Sequence, residues 1–67
     1  MRILDEVRED LNIFCKYGVE IILAEYTDID NDIKRWVVDI HELAGDIDTI
    51  HFDDFYEAVE YYEGLTK

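Results

Sequence analysis

The side chains with the clearest potential for chemistry are carboxylates at close spacing in the segment TDIDND. Asp28, Asp30 and Asp32 match the first three acidic positions of an EF-hand calcium loop. The sixth position, however, holds Ile33 where Gly is needed, and the twelfth holds Asp39 where Glu is needed. The spacing therefore favours a polar hairpin turn, in which Asp and Asn side chains bond their own backbone, over a calcium site.

The two histidines are the second candidate for a site. His41 and His51 fall near Asp39 and Asp53 on two predicted strands. If the hairpin turns about Gly45, Asp39 and His51 are cross-strand neighbours on the solvent face, with His41 diagonal to them. Because zinc needs four ligands in tetrahedral order, we predict a solvent-exposed Asp–His pair and no metal or cofactor.

Side chains suited to nucleophilic catalysis are scarce. The chain has no serine and no Gly-rich phosphate loop, and we expect its one cysteine, Cys15, to be a buried, inert thiol on the apolar face of a helix. We therefore predict that the protein is not an enzyme. A single cysteine fits a reducing compartment, and the charged N-terminus has no signal-peptide pattern, so we expect a soluble, cytoplasmic chain.

The spacing of apolar residues predicts the elements. Residues 3–15 are expected to form a helix that ends at Lys16 and Gly18, because apolar side chains recur at three- and four-residue steps. The residues of that stripe are Leu4, Val7, Leu11 and Phe14.

Three strands and a second helix follow. Residues 19–26, 33–41 and 47–52 predict an antiparallel meander, with Trp36 in the core and Gly45 at positive φ in the second turn. A helix is expected to start at Asp53 or Asp54 and to bury Phe55, Ala58, Val59, Tyr62 and Leu65. The sequence thus predicts a single α+β domain over residues 1–67, α-β-β-β-α, with both helices on one face of a three-stranded sheet.

Net charge is the strongest feature of the composition. Eighteen acidic and six basic residues give a net charge of −12. Residues 1–35 carry nine acids and five bases, whereas residues 36–67 carry nine acids and only Lys67. This balance disfavours direct binding to nucleic acid or anionic lipid and favours a basic protein as the partner.

The acids of the last helix fall on one face. Asp53, Glu57, Glu60 and Glu63 occupy an arc of about 120°, where each like-charge neighbour costs an isolated helix about 0.2–0.5 kcal/mol. Tyrosine is enriched at protein interfaces, so we interpret this face as a partner-binding surface, with a solvated face as the alternative. The predicted binding residues are Asp53, Asp54, Tyr56, Glu57, Glu60, Tyr61 and Glu63, with Asp28, Asp30 and Asp32 as a secondary group.

The segment DDFYEAVEYYEGL, in a very short acidic chain with a helix, a meander and a closing helix, resembles the small phage-encoded anti-CRISPR proteins. In outline the chain is most similar to the acidic type II inhibitors, which occupy the Cas9 site that recognises the DNA motif beside the target. No diagnostic motif is shared, so the resemblance transfers no individual residue. It implies a DNA-mimicking inhibitor of a nucleic-acid-handling protein.

The leading hypothesis is therefore a non-enzymatic inhibitor that blocks a basic nucleic-acid-binding surface. One alternative is an antitoxin or immunity protein that neutralises a basic toxin. Another is a small structural module whose acidity serves solubility. That module would form a homodimer through the open face of the sheet, where Ile22 and Val37 are expected.

Overall fold

The computed structural model describes residues 6–67, and these form a four-stranded antiparallel sheet followed by one helix. The strands pair with their sequence neighbours in the order β1-β2-β3-β4. The elements are β1 (Glu6–Lys16), β2 (Val19–Asp28), β3 (Ile33–His41), β4 (Ile47–Phe52) and α1 (Phe55–Thr66). Within residues 6–67, no helix has both the length and the apolar character needed to cross a bilayer.

The predicted α-β-β-β-α order is wrong, because the segment expected to be the first helix is the edge strand β1. Residues 3–5 of that expected helix lie outside the described part of the chain. The pairing of β1 with β2 shifts register between Asp10 and Asn12, which leaves Leu11 as an extra residue. This bulge explains the misleading periodicity. Val7 and Phe14 are seven residues apart and would face opposite sides of a regular strand, but the bulge returns both to one side.

A tight hairpin turn joins β1 to β2 where the sequence suggested the end of a helix. Lys16 pairs with Val19, and the two residues between them, Tyr17 and Gly18, have φ values of 54° and 79°. Positive φ at both central positions is the geometry of a type I′ turn, which matches the twist of the strands. A glycine shortly after a lysine is typical of the end of a helix, but the same residues also fit a type I′ turn between two strands.

Gly18→Ala is expected to destabilise the fold. A Cβ at this position would lie 3.3 Å from the side chain of Leu43 and would be held at positive φ. We expect a loss of about 1–2 kcal/mol in the free energy of unfolding, measured by urea denaturation. Gly64→Ala is the matched control, because nothing lies within 4 Å of a Cβ there and alanine favours a helix. Equal stability of the two variants would contradict the assignment of strain to this turn.

The predicted segments 33–41 and 47–52 coincide with β3 and β4, and β2 runs two residues beyond the predicted 19–26. Side chains of β2 and β3 that face α1 form the larger core cluster. Trp36 packs against this cluster, as predicted. The buried members are Ile21, Leu23, Val38, Ala58 and Tyr62.

In the part of the chain that the structure describes, no helix covers the opposite side of the sheet, yet the central apolar residues of that side are buried. Ala24 and Val37 are 0% exposed and Ile22 is 8% exposed. Long polar side chains from all four strands line the space over Ile22 and Val37. Ile22 and Val37 therefore lie on the face where they were expected, and both are buried.

Candidate functional site

The helix α1 begins as the sequence predicts. Asp54 is the N-cap, with extended backbone (φ −120°, ψ 125°), and its Oδ1 accepts a hydrogen bond of 2.8 Å from the backbone N–H of Tyr56. Ala58 and Tyr62 are buried on the inner side of α1, as predicted, whereas Phe55 and Leu65, which were also expected to be buried, are each 39% exposed. The apolar stripe is thus anchored at its centre, and both ends remain partly open.

Asp54→Ala is expected to shorten or fray α1. The lost cap should cost about 1 kcal/mol of stability, which thermal unfolding would detect. Asp53→Ala is the control, because Asp53 is exposed and is not the N-cap. If both variants unfold at the same temperature as the parent, the cap contributes nothing. Asp54 therefore has a structural role whatever it binds.

The acidic face of α1, defined by Asp53, Asp54, Glu57, Glu60 and Glu63, is exposed along its whole length. Among the described residues, Glu63 is the one member that forms an ion pair, a long contact of 3.8 Å with Lys67. That pair is exposed on both sides and adds little stability. The last turn of the helix has no basic residue, and the cation at its C-terminal end is the C-cap, Lys67.

Aromatic rings accompany these carboxylates. Tyr56 is 75% exposed and meets Phe55 edge-on, with 5.7 Å between ring centroids. Phe55 in turn lies 5.8 Å from Trp36. Tyr61 is 39% exposed and lies 5.5 Å from Phe52. Both tyrosines are therefore held by neighbouring rings while part of each remains available for contact.

The secondary acidic group forms the turn between β2 and β3, as predicted. Asp28 Oδ1 accepts hydrogen bonds from the backbone N–H groups of Asp30 and Asn31, at 3.1 and 3.4 Å. Asp32 has a positive φ of 53°, which Asp tolerates better than most residues. Because Trp36 near the start of β3 pairs with Phe52 at the end of β4, this turn and the start of α1 lie toward the same end of the sheet.

The predicted cross-strand pair of Asp39 and His51 is wrong, because the register differs by two residues. Asp39 lies opposite Thr49, and His51 lies opposite Val37. Asp39 is also only 5% exposed, so it is no part of a solvent-exposed Asp–His pair. Residues 6–67 contain no group of three or more His, Cys, Asp or Glu side chains placed to hold a metal ion.

Cys15 is exposed, contrary to the prediction of a buried thiol, because it lies on the edge strand and not on a helix. Its Sγ lies 3.6 Å from a carboxylate oxygen of Glu20, the residue opposite it on β2. Partial desolvation and this contact raise the pKa of Cys15. A raised pKa keeps the sulfur protonated and makes it a poor nucleophile.

The open face of the sheet carries a polar network that the sequence pattern does not predict. Arg8 donates to Asp10 and to the buried Asp39, at 2.8 Å each, and to the Tyr26 hydroxyl at 2.9 Å. The hydrogen bond to Asp10 is the largest cause that raises the pKa of Arg8 above its usual value, and desolvation opposes it in part. Asp39 also accepts a hydrogen bond of 2.8 Å from Thr49 Oγ1.

A second arginine lies on the other side of Tyr26. The guanidinium carbons of Arg8 and Arg35 are 5.5 and 5.2 Å from the centre of the Tyr26 ring. Arg35 forms an ion pair of 2.8 Å with Glu6 through Nη2, while its buried Nε has no hydrogen-bond partner. These residues line a cleft of about 520 Å³ that reaches from β1 to β4.

One signal for this network was present in the sequence. In β3 the alternation places Arg35, Val37, Asp39 and His41 on one face, which puts opposite charges four residues apart on the same side. The helix expected over residues 3–15 includes Arg8, so the sequence pattern did not predict the contact between Arg8 and Asp39.

Comparison with protein-family models, with curated proteins and with solved structures found no match for this chain.

Proposed function

We propose that this protein is a non-enzymatic inhibitor that binds a basic, nucleic-acid-binding surface of another protein through the acidic face of α1. The observation that carries the proposal is the row of exposed carboxylates on α1, of which Glu63 alone forms an ion pair within residues 6–67, with Tyr56 and Tyr61 among them. An ordinary solvated helix intersperses lysines to remove this repulsion.

Two physical effects support binding of this kind. Carboxylates concentrated on one layer of a chain with net charge −12 would steer a cationic partner toward that layer and speed association. Partly exposed aromatic rings supply contact area that is lost from water on binding, which charges alone do not provide. The acids would pair with Arg and Lys side chains that otherwise hold phosphates.

We propose a CRISPR effector as the target, in keeping with the resemblance to small acidic anti-CRISPR proteins. The inhibitor would act in the cytoplasm, as its single cysteine favours. It would occupy the place of DNA and would require neither a cofactor nor catalysis.

The test is competition with DNA. A guide-loaded type II effector would be mixed with labelled target DNA, and fluorescence anisotropy would report DNA binding as the protein is added at low and high salt. We expect displacement of DNA that weakens steeply as salt rises. A multi-subunit Cascade complex and a basic ribonuclease toxin serve as parallel arms. Inhibition of the toxin alone would replace the proposal with the antitoxin alternative, and no displacement in any arm would refute it.

A further inference from the structure

We infer that the cleft on the open face of the sheet is a second binding site, for a small molecule that carries one carboxylate on an apolar body. The site lies on the side of the sheet away from α1, so it does not depend on the proposed function of the acidic face. Its central feature is Arg35, whose buried Nε has no partner and whose Nη2 makes one contact to Glu6.

The cleft has the form of a ligand site. Its volume of about 520 Å³ lies in the range of roughly 300–1,000 Å³ typical of small-molecule pockets. Ile22 and Val37 form an apolar floor, and Ile47, which is 62% exposed, stands on the wall formed by β4. An apolar body would cover Ile47 and the Tyr26 ring, both of which line the cleft.

Charge favours an anion at this place. The cleft brings two of the six basic residues of the chain, Arg8 and Arg35, together with both histidines. The facing acids are already engaged, since Asp39 is held by Arg8 and Thr49, and Glu6 by Arg35. Arg8 is also held by Asp10, so a ligand anion would compete with Glu6 for Arg35 and not with the acids that hold Arg8.

The donor geometry singles out a carboxylate. Arg8 already donates through Nε, Nη1 and Nη2, so it has little capacity for a ligand. Arg35 Nε and Nη2 are parallel donors that match the two oxygens of one carboxylate. Glu6 satisfies only Nη2, through Oε2, at 2.8 Å. A ligand carboxylate that displaces Glu6 would satisfy both donors, and an unpaired buried donor is the kind of defect that binding removes.

Glu6 is consequently a built-in competitor of the ligand. Its side chain is 36% exposed, so its carboxylate can move into water when a ligand takes its place. The Tyr26 ring beneath the guanidinium keeps Arg35 in position during the exchange. Removing the charge of Glu6 should therefore strengthen binding of the ligand. If Glu6 only supported the fold, its removal would not strengthen binding.

The experiment is an NMR titration of the whole ¹⁵N-labelled chain with hexanoate, hexanamide and inorganic phosphate at equal ionic strength. We expect hexanoate at millimolar concentration to cause saturable shifts of the Arg35 Nε–Hε signal and of the Thr49 amide. Hexanamide and phosphate should cause much smaller shifts, because one lacks the charge and the other the apolar body. Equal shifts with either control, or no saturation with hexanoate, would overturn the inference.

Variants test the roles of the two residues. Glu6→Gln should tighten hexanoate binding about two- to fivefold, the factor expected when one competing exposed ion pair is removed. Arg35→Lys should weaken it roughly tenfold, because a lysine cannot present two parallel donors. Glu57→Gln on α1 makes the same change in net charge and should alter nothing. If Arg35→Lys does not keep the native spectrum, the test is the affinity of Glu6→Gln for hexanoate compared with that of Glu57→Gln. Equal affinities of these two variants would refute the site.

Discussion

Replacing Glu57, Glu60 and Glu63 together with lysine is expected to abolish displacement of DNA from the target. Reversal of three exposed charges at about 1 kcal/mol each should raise Kd about a hundredfold or more. The fold should stay intact or gain stability, because like-charge repulsion along α1 is removed and lysines near the helix C-terminus complement the dipole. Fluorescence anisotropy would measure the Kd, and thermal unfolding would measure the stability.

A matched control distinguishes the effect of the acidic face on affinity from the effect of total net charge. Glu42, Asp46 and Asp48 are exposed residues of the β3–β4 connection and the start of β4, and their replacement by lysine changes the net charge equally. We expect this control to lose far less affinity than the variant of α1. Equal losses would mean that the total charge matters and that the acidic face has no special role. Unchanged inhibition by the α1 variant would contradict the proposed interface.

Asp39→Ala is expected to cause the largest loss of stability among single substitutions in the polar network. The Asp39 side chain is 7% exposed and holds both Arg8 and Thr49 by contacts of 2.8 Å. Removing it leaves the guanidinium beside an apolar floor with one fewer carboxylate, at a cost of about 3 kcal/mol. A 67-residue domain has a total stability of roughly 3–10 kcal/mol, so the variant should be close to unfolding at 25 °C. Urea denaturation measures the difference.

Two controls keep this prediction specific. Asp48→Ala removes an exposed acid from the neighbouring strand and should change stability by less than about 0.5 kcal/mol. Replacing Arg8 with Met and Asp39 with Leu together should recover much of the loss, because apolar residues can substitute for a buried ion pair as a unit. If Asp39→Ala is as stable as the Asp48 variant, the polar network does not contribute to the stability of the fold.

The opposing surfaces of the sheet therefore differ in their chemistry. Among the described residues, the acids of α1 form one long ion pair, Glu63 with Lys67, whereas the open side holds Arg8 and Arg35 in ion pairs of 2.8 Å. Pairing costs conformational freedom but fixes the side chains, so the open side is suited to a defined small ligand. The acidic face of α1 is exposed, which would suit rapid encounter with a large cationic partner.

Local signals were sufficient for the C-terminal half of the chain. The strand β3, the positive φ of Gly45 and the N-cap at Asp54 all follow from residue type and spacing. The exposure of the acids on α1 follows from helical periodicity once Ala58 and Tyr62 are assigned to the core. In these segments each residue's preference agrees with the fold, and no distant contact is needed to choose between alternatives.

The N-terminal segment was decided by tertiary pairing. Its apolar spacing fits a helix as well as a bulged strand, and the Tyr17–Gly18 turn resembles a helix end because both require positive φ. What selects the strand is β2, whose segment Ile21–Ala24 is buried on both sides and gains a pairing partner from β1. The same pairing brings Arg8 to Tyr26 and Asp39, so the cleft exists only because β1 is a strand. Composition and periodicity alone determined the acidic helix, whereas cross-strand contacts between distant residues determined the fourth strand and the cleft that it completes.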